Sequence, residues 1–139
     1  MGLGKNCNEI AILPAAAKKC LSIFLAHVQV LEWFKNSGYE FLYTCNAIDY
    51  AAGNGQVHVL EWFKKSGYDF LYSCKAIDNA AQNFHIVILE WFKNSPYRFI
   101  CTKRLFNTIF ENYEINHWFK NYKQHIKRNK IIYYLPYQY

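Results

Sequence analysis

Asp49 and Asp78 stand 29 residues apart in two copies of one phrase, "AIDYAA" and "AIDNAA". Two carboxylates in matched surroundings could serve general acid–base catalysis, provided a proton can pass between each and a reacting group. If the copies stack, however, one unit separates them by roughly 10 Å, the distance between packed helices. No nucleophile or general acid accompanies them. The expected role is structural: a polar side chain bonding a neighbouring backbone or turn. The histidines (His27, His58, His85, His117 and His125) are spread in the same way, so a metal site would need ligands that unit spacing keeps apart. His27 and His85 fall at a turn between helices and are expected to bond the backbone there. The five cysteines form no CxxC pair and sit at no zinc spacing to a histidine. Cys45 and Cys74 are equivalent positions of consecutive copies, roughly 8–10 Å apart in a stack and beyond disulfide reach. A reducing compartment fits. There is no Gly-rich phosphate loop, HExxH or nucleophile elbow. No catalytic residue, metal ligand or cofactor is expected, and the chain does not read as an enzyme.

The second candidate is aromatic. "VLEWFKNSGYEFLY" begins at Val30, "VLEWFKKSGYDFLY" at Val59, and "ILEWFKNSPYRF" at Ile88. A row of Trp-Phe pairs could capture a peptide or stack on a base. It could equally fill the space between copies. The pairs lie on the apolar side of their segments and recur in each copy, whereas partner contacts tend to differ between copies. Trp33, Phe34, Trp62, Phe63, Trp91, Phe92 and Trp118 are therefore expected to form a structural core.

These residues must be positioned by repeated elements. Trp33, Trp62 and Trp91 are each 29 residues apart, as are Tyr39, Tyr68 and Tyr97. Ile48, Ile77 and Phe106 continue the register, as do Val57, Ile86 and Ile115. Trp118 follows Trp91 by only 27, which places a two-residue loss between Ile115 and Trp118. Each unit reads as two short helices and an extended connector. In "NAIDYAAGN" apolar residues recur at helical spacing, with Asn46 as a plausible N-cap and Gly55 as a stop. In "VHVLEWFKKS" Val59, Leu60, Trp62 and Phe63 share one side. His58, Glu61, Lys64 and Lys65 share the other, and Glu61 is spaced to pair with Lys65. Gly38 and Gly67 end these helices, and Pro96 takes that place in the third unit. "YDFLY" alternates like an extended segment. Helices of about ten residues are too short to stand alone in water, so each must bury its face against the next copy.

The 139 residues suffice for one domain or a short array. At 53% hydrophobic and 19% aromatic the chain is too rich for disorder. No apolar run reaches the ~20 residues of a membrane span, and the N-terminus is a poor secretory signal. A soluble, unexported monomer without membrane contact is expected. The net charge of +6 is uneven: Lys120, Lys123, Lys127, Arg128 and Lys130 cluster, and no acidic residue follows Glu114. The alternative to protein binding is therefore a nucleic-acid or anionic-surface contact through Lys120–Lys130. A truncated array without independent function is a further alternative. Residues 1–17 read as an N-terminal extension, 18–122 as the array (18–45, 46–74, 75–103, 104–122), and 123–139 as a basic, aromatic tail. That tail, ending "IIYYLPYQY", exposes many apolar groups unless it folds over the last helix as a cap.

"NAIDYAAGNGQVHVLEWFKKSGYDF" resembles the ankyrin repeat. Ile48 and Ile77 match that family's leucine, Ala51-Ala52 and Ala80-Ala81 its alanine pair, and Gly55 its glycine. His27 and His85 match the following histidine. Trp62-Phe63 match its leucine pair, and Gly67-Tyr68-Asp69 its Gly-Ala-Asp. Units of 29 residues are shorter than the family's ~33, and the shortfall lies where the family has a β-hairpin finger. The resemblance thus implies an all-α, short ankyrin-like α-solenoid of stacked helix-turn-helix repeats with shortened β-hairpin fingers. It implies a protein partner bound on the concave face. Mapped here, that face includes Asn46, Tyr50, Asn54, Lys75, Asn79, Gln82, Asn83 and Arg104. The wording is most similar to divergent ankyrin arrays of giant, mimivirus-type DNA viruses, which implies a setting in the cytoplasm of an infected host cell.

Overall fold

Three connectors each end in a hydroxyl residue, and that hydroxyl opens the next helix. The computed structural model of the chain describes residues 27–123 and 131–134. The N-terminal extension, the array before His27 and most of the basic tail lie outside the described residues. Thr44 Oγ1 accepts from the Asn46 amide at 3.1 Å, Ser73 Oγ from Lys75 at 3.2 Å, and Thr102 Oγ1 from Arg104 at 3.1 Å. Each bond satisfies an amide that the first helical turn leaves without a partner. The helices so started are α2 (Cys45–Gly53), α4 (Cys74–Gln82) and α6 (Lys103–Glu111). The cap is thus Thr44, not Asn46. Thr44 holds the extended backbone (φ −125°) from which a short hydroxyl reaches the amide two residues on, and Asn46 already lies within the first turn.

The partner helices are α1 (Val28–Ser37), α3 (Val57–Ser66), α5 (Ile86–Asn94) and α7 (Tyr113–Lys123). The ending "SGY" or "SPY" of α1, α3 and α5 is a clamp. Ser37, Ser66 and Ser95 donate to the carbonyls of Phe34, Phe63 and Phe92 and accept from the amides of Tyr39, Tyr68 and Tyr97. Gly38 (φ 75°) and Gly67 (φ 85°) supply the left-handed turn that ends α1 and α3.

The turn inside each unit varies. Gly55 is left-handed (φ 72°), and an added Cβ would lie 2.9 Å from His85 Nδ1 of the next unit. Phe84 occupies the equivalent place at φ 60°, the one non-glycine residue with positive φ among those described. In the last unit the turn shrinks to Asn112, which ends α6 and whose Oδ1 accepts from the Ile115 amide at 3.0 Å, near the start of α7. The two-residue loss therefore falls here, before Ile115 rather than after it. Ile115 takes the buried place of Val59 and Ile88, all three at 0% exposure, instead of the half-buried place of Val57 and Ile86. Sequence identity alone could not separate the two registers, because both positions are aliphatic.

The described chain is mostly helical and forms two layers. Along one, α2 packs on α4 and α4 on α6; along the other, α1 packs on α3 and α3 on α5. Within units α2 packs on α3, α4 on α5 and α6 on α7. Ala47, Ala51, Ala76 and Ala80 are buried and small enough to let the first helices approach closely. No hairpin finger forms among the described residues. The connectors over 39–43 and 68–72 are extended without a ladder, while Phe99–Thr102 (β1) pairs in parallel with Ile131–Tyr134 (β2), Phe99 opposite Ile131. That part of the tail lies beside a connector.

The expected Trp-Phe core divides. Phe63 and Phe92 are fully buried and Trp62 nearly so, while Phe34, Trp91 and Trp118 are half-buried. Trp33 is not core: it is 56% exposed, because no described helix precedes α1 to cover it. Cys45, Cys74 and Cys101 are in no disulfide, and burial, with the Asp78 charge nearby, pushes Cys101 up to about 12.

Phe84→Gly should raise stability by roughly 0.5 kcal/mol, since relief of the left-handed strain exceeds the added chain entropy of glycine. Urea unfolding monitored by circular dichroism measures this.

Candidate binding face

Helical spacing puts Asn46 and Tyr50 of α2, Lys75, Asn79 and Gln82 of α4, and Arg104 of α6 on one side of the first-helix layer. Alanines and isoleucines take the other side. Asn46, Tyr50, Lys75, Gln82 and Arg104 are exposed, and Asn79 is half-buried against Gly53, where an added Cβ would lie 3.1 Å from its own Cβ. Arg104 Nη2 donates to Gln82 Oε1 at 2.9 Å, tying two units across this face. The structure thus brings six of the eight candidate residues together as an outward row.

Asn54 and Asn83 behave differently. Their side-chain amides donate to backbone carbonyls, Asn54 to Tyr50 at 2.8 Å and Asn83 to Gly53 of the previous unit at 2.7 Å. With Asn112 they are the same residue in three copies, and they hold the turn. These bonds give both residues a structural duty within and between units.

Behind the face the aspartates point inward. Asp49 accepts from the Ser73 amide at 2.8 Å and the Ser73 hydroxyl at 2.5 Å. Asp78 accepts from the Thr102 amide at 3.0 Å and the Thr102 hydroxyl at 2.5 Å. Each carboxylate therefore ties its helix to the residue that caps the next first helix. Burial raises the Asp49 carboxyl above its ordinary range, and the Ser73 bonds oppose that shift.

Two further ties were not anticipated. The Trp62 indole donates to Glu32 at 2.5 Å, Trp91 to Glu61 at 2.5 Å, and Trp118 to Glu90 at 2.8 Å. Glu61 had been assigned to solvent with Lys65. It does meet Lys65, at 3.4 Å, but its other oxygen receives the next unit's tryptophan. The signal was present as a glutamate 28 to 30 residues before each of these tryptophans. The Trp91 bond, aided by Lys65 and Lys64, holds Glu61 below its usual value; Lys93, then Trp118 and Asn94, do the same for Glu90. The third tie runs from the Tyr43 hydroxyl to the Asp69 carbonyl at 2.6 Å and from Tyr72 to Arg98 at 2.7 Å. Burial pushes both phenols up to about 12.

An open groove of about 420 Å³ lies on the second-helix layer, lined by Val57, Glu61, Ile86, Val87, Glu90 and Trp91 among others. It does not include the candidate face. His27 and His85 make no side-chain capping bond, contrary to the backbone contact expected; the His85 ring lies over Gly55 instead. Among the described residues no three His, Cys, Asp or Glu side chains converge as a metal site, and no helix is long and apolar enough to cross a membrane. Comparison of the chain with family models, with curated proteins and with solved structures returned no match.

Two outcomes test these ties. Asp78→Ala should cost about 2 kcal/mol, because it strips two charge-assisted bonds from a buried site, whereas Asn46→Ala on the surface should change stability by under ~0.5 kcal/mol. Because the folded-state value of Glu90 lies below its ordinary one, its stabilisation is complete above about pH 4.5 and is lost as pH falls through the depressed value. Glu90→Gln should thus cost roughly 0.5 kcal/mol at pH 7, small because solvent reaches the group, and less at pH 3. Urea midpoints at the two pH values measure it.

Proposed function

We propose that this chain is a short ankyrin-like array that works as a non-enzymatic protein–protein interaction module. Its binding face is the outward side of α2, α4 and α6, the concave side in the family it resembles. One observation carries the reading. The positions that tie unit to unit keep their chemistry from copy to copy, while the outward positions change. Asn46, Lys75 and Arg104 are equivalent and differ, as do Tyr50 and Asn79, whereas Asp49 and Asp78 are identical and their partners Ser73 and Thr102 are both hydroxyl residues. Lys75, Lys103 and Arg104 are exposed there against one exposed carboxylate, Glu111, and the aspartates are turned inward, so the face is mildly basic. An acidic protein segment complements it, with Tyr50 as its aromatic anchor. The setting that goes with the resemblance is the cytoplasm of an infected cell.

Affinity capture and titration with the captured partner supply the test. A Tyr50→Ala, Lys75→Glu, Arg104→Glu variant should bind at least about tenfold more weakly, since an aromatic anchor and two complementary charges are removed. Its unfolding midpoint should shift only slightly, by no more than the loss of the exposed Arg104–Gln82 bond. Equal affinity for wild type and variant would remove the face from consideration.

A further inference from the structure

The repeated stack shows what covers each tryptophan, and at Trp33 no described residue supplies that cover. In the second unit Trp62 stacks on Tyr68 with centroids 5.8 Å apart, in the third Trp91 on Tyr97 at 5.9 Å. Both pairs are covered by the unit before. A glutamate takes the indole N–H, from Glu32 and Glu61 respectively. A phenylalanine nine residues further on meets the rings: Phe41 lies 6.3 Å from Trp62 and 5.4 Å from Tyr68, and Phe70 lies 5.6 Å from Trp91 and 3.9 Å from Tyr97. In the first unit Trp33 stacks on Tyr39 at 5.9 Å in the same way. Yet Trp33 is 56% and Tyr39 69% exposed, and no acceptor among the described residues meets the indole.

End units of stacked arrays ordinarily turn a polar face to water. The first described unit instead turns outward an aromatic pair, of the kind that marks an interaction site. We infer that the Trp33–Tyr39 end of the stack docks a segment of another protein that carries a glutamate and, nine residues later, a phenylalanine. The established junctions define that chemistry: a carboxylate for the indole N–H and a ring for the Trp-Tyr stack. The chain's own residues fit it poorly. In the 29-residue register Leu3 and Ile12 stand where Glu32 and Phe41 stand one unit later. At the other end of the stack His117 precedes Trp118, where Glu32, Glu61 and Glu90 precede their tryptophans, so a second copy presents no carboxylate there. This end is a different surface from the first-helix face and does not depend on it.

The probe is a synthetic peptide of residues Val57–Tyr72, which carries Glu61 and Phe70 in the required spacing. It is titrated unlabelled into the full ¹⁵N-labelled chain while the four tryptophan indole N–H signals are followed. The Trp33 signal should move downfield and saturate, with the other three unmoved. A peptide with Glu61→Gln should bind about fivefold more weakly, as loss of a charge-assisted bond predicts, and Phe70→Ala should also weaken it. In the chain, Trp33→Phe should weaken binding and Trp33→Ala abolish it. The Tyr50→Ala, Lys75→Glu, Arg104→Glu variant should bind the peptide as wild type does, which separates this proposal from the first-helix reading. The inference is overturned by an unmoved Trp33 signal, by movement of the other tryptophans, or by loss of binding in that triple variant. It is also overturned if the Trp33 signal of the peptide-free chain already lies downfield and moves upfield in Glu9→Gln or on dilution. Those results would mean that the N-terminal segment or a second copy fills the site.

Discussion

The bond from a buried aspartate to the hydroxyl residue that opens the next first helix governs the rest of this structure. Asp49 holds Ser73, and Ser73 in turn caps α4. Asp78 holds Thr102, which caps α6. A helix of nine residues lacks the length to persist alone. In α4 and α6 the side chain that caps the first turn is itself held by the preceding unit, whereas Thr44 caps α2 without such an aspartate among the described residues. Helix initiation in those two units is therefore coupled to the unit before. The Glu–Trp and Tyr–carbonyl ties repeat the dependence at other points of each junction, and the buried alanines, leucines and phenylalanines close the space between.

This arrangement explains which features could be read from the residues and which could not. The period, the two helices per unit, the glycine ends at Gly38 and Gly67 and the Glu61–Lys65 pair all follow from local spacing, and all are present. What escaped is what depends on a neighbour 24 to 30 residues away. Periodicity sends Glu61 to the solvent side of α3, and only the next unit brings Trp91 over it. Trp33 shares its local sequence with Trp62 yet is exposed, because burial at that position comes from the preceding unit. The cap at Thr44 lies in the polar end of an aromatic connector, two residues before Asn46, which looked equally suitable. The shortened last turn was misplaced because Ile115 fits two aliphatic positions.

The same logic sorts the candidate face. The resemblance places Asn54 and Asn83 on the recognition face, just after the alanine pairs. Their amides are engaged with backbone carbonyls, and their identity in successive copies agrees with that duty. Asn46, Lys75 and Arg104 occupy one position and differ. Variation at a position that makes no inter-unit tie leaves the junction intact, so the outward row can change residue by residue at little cost in stability. Gln82 and Arg104 are intermediate, because their contact joins units while remaining exposed.

The side and the end of such a stack are under different constraints. The side presents residues that no junction requires, so its chemistry is peculiar to each unit. The end presents whatever the junction requires, so Trp33 and Tyr39 carry the same demands as Trp62 and Tyr68 one unit on. A partner on the side must match a particular sequence of outward residues. A partner on the end need only reproduce what Glu32 and Phe41 already do for their neighbour. That requirement is narrow in chemistry but independent of the outward row, so the two proposed surfaces can be altered separately.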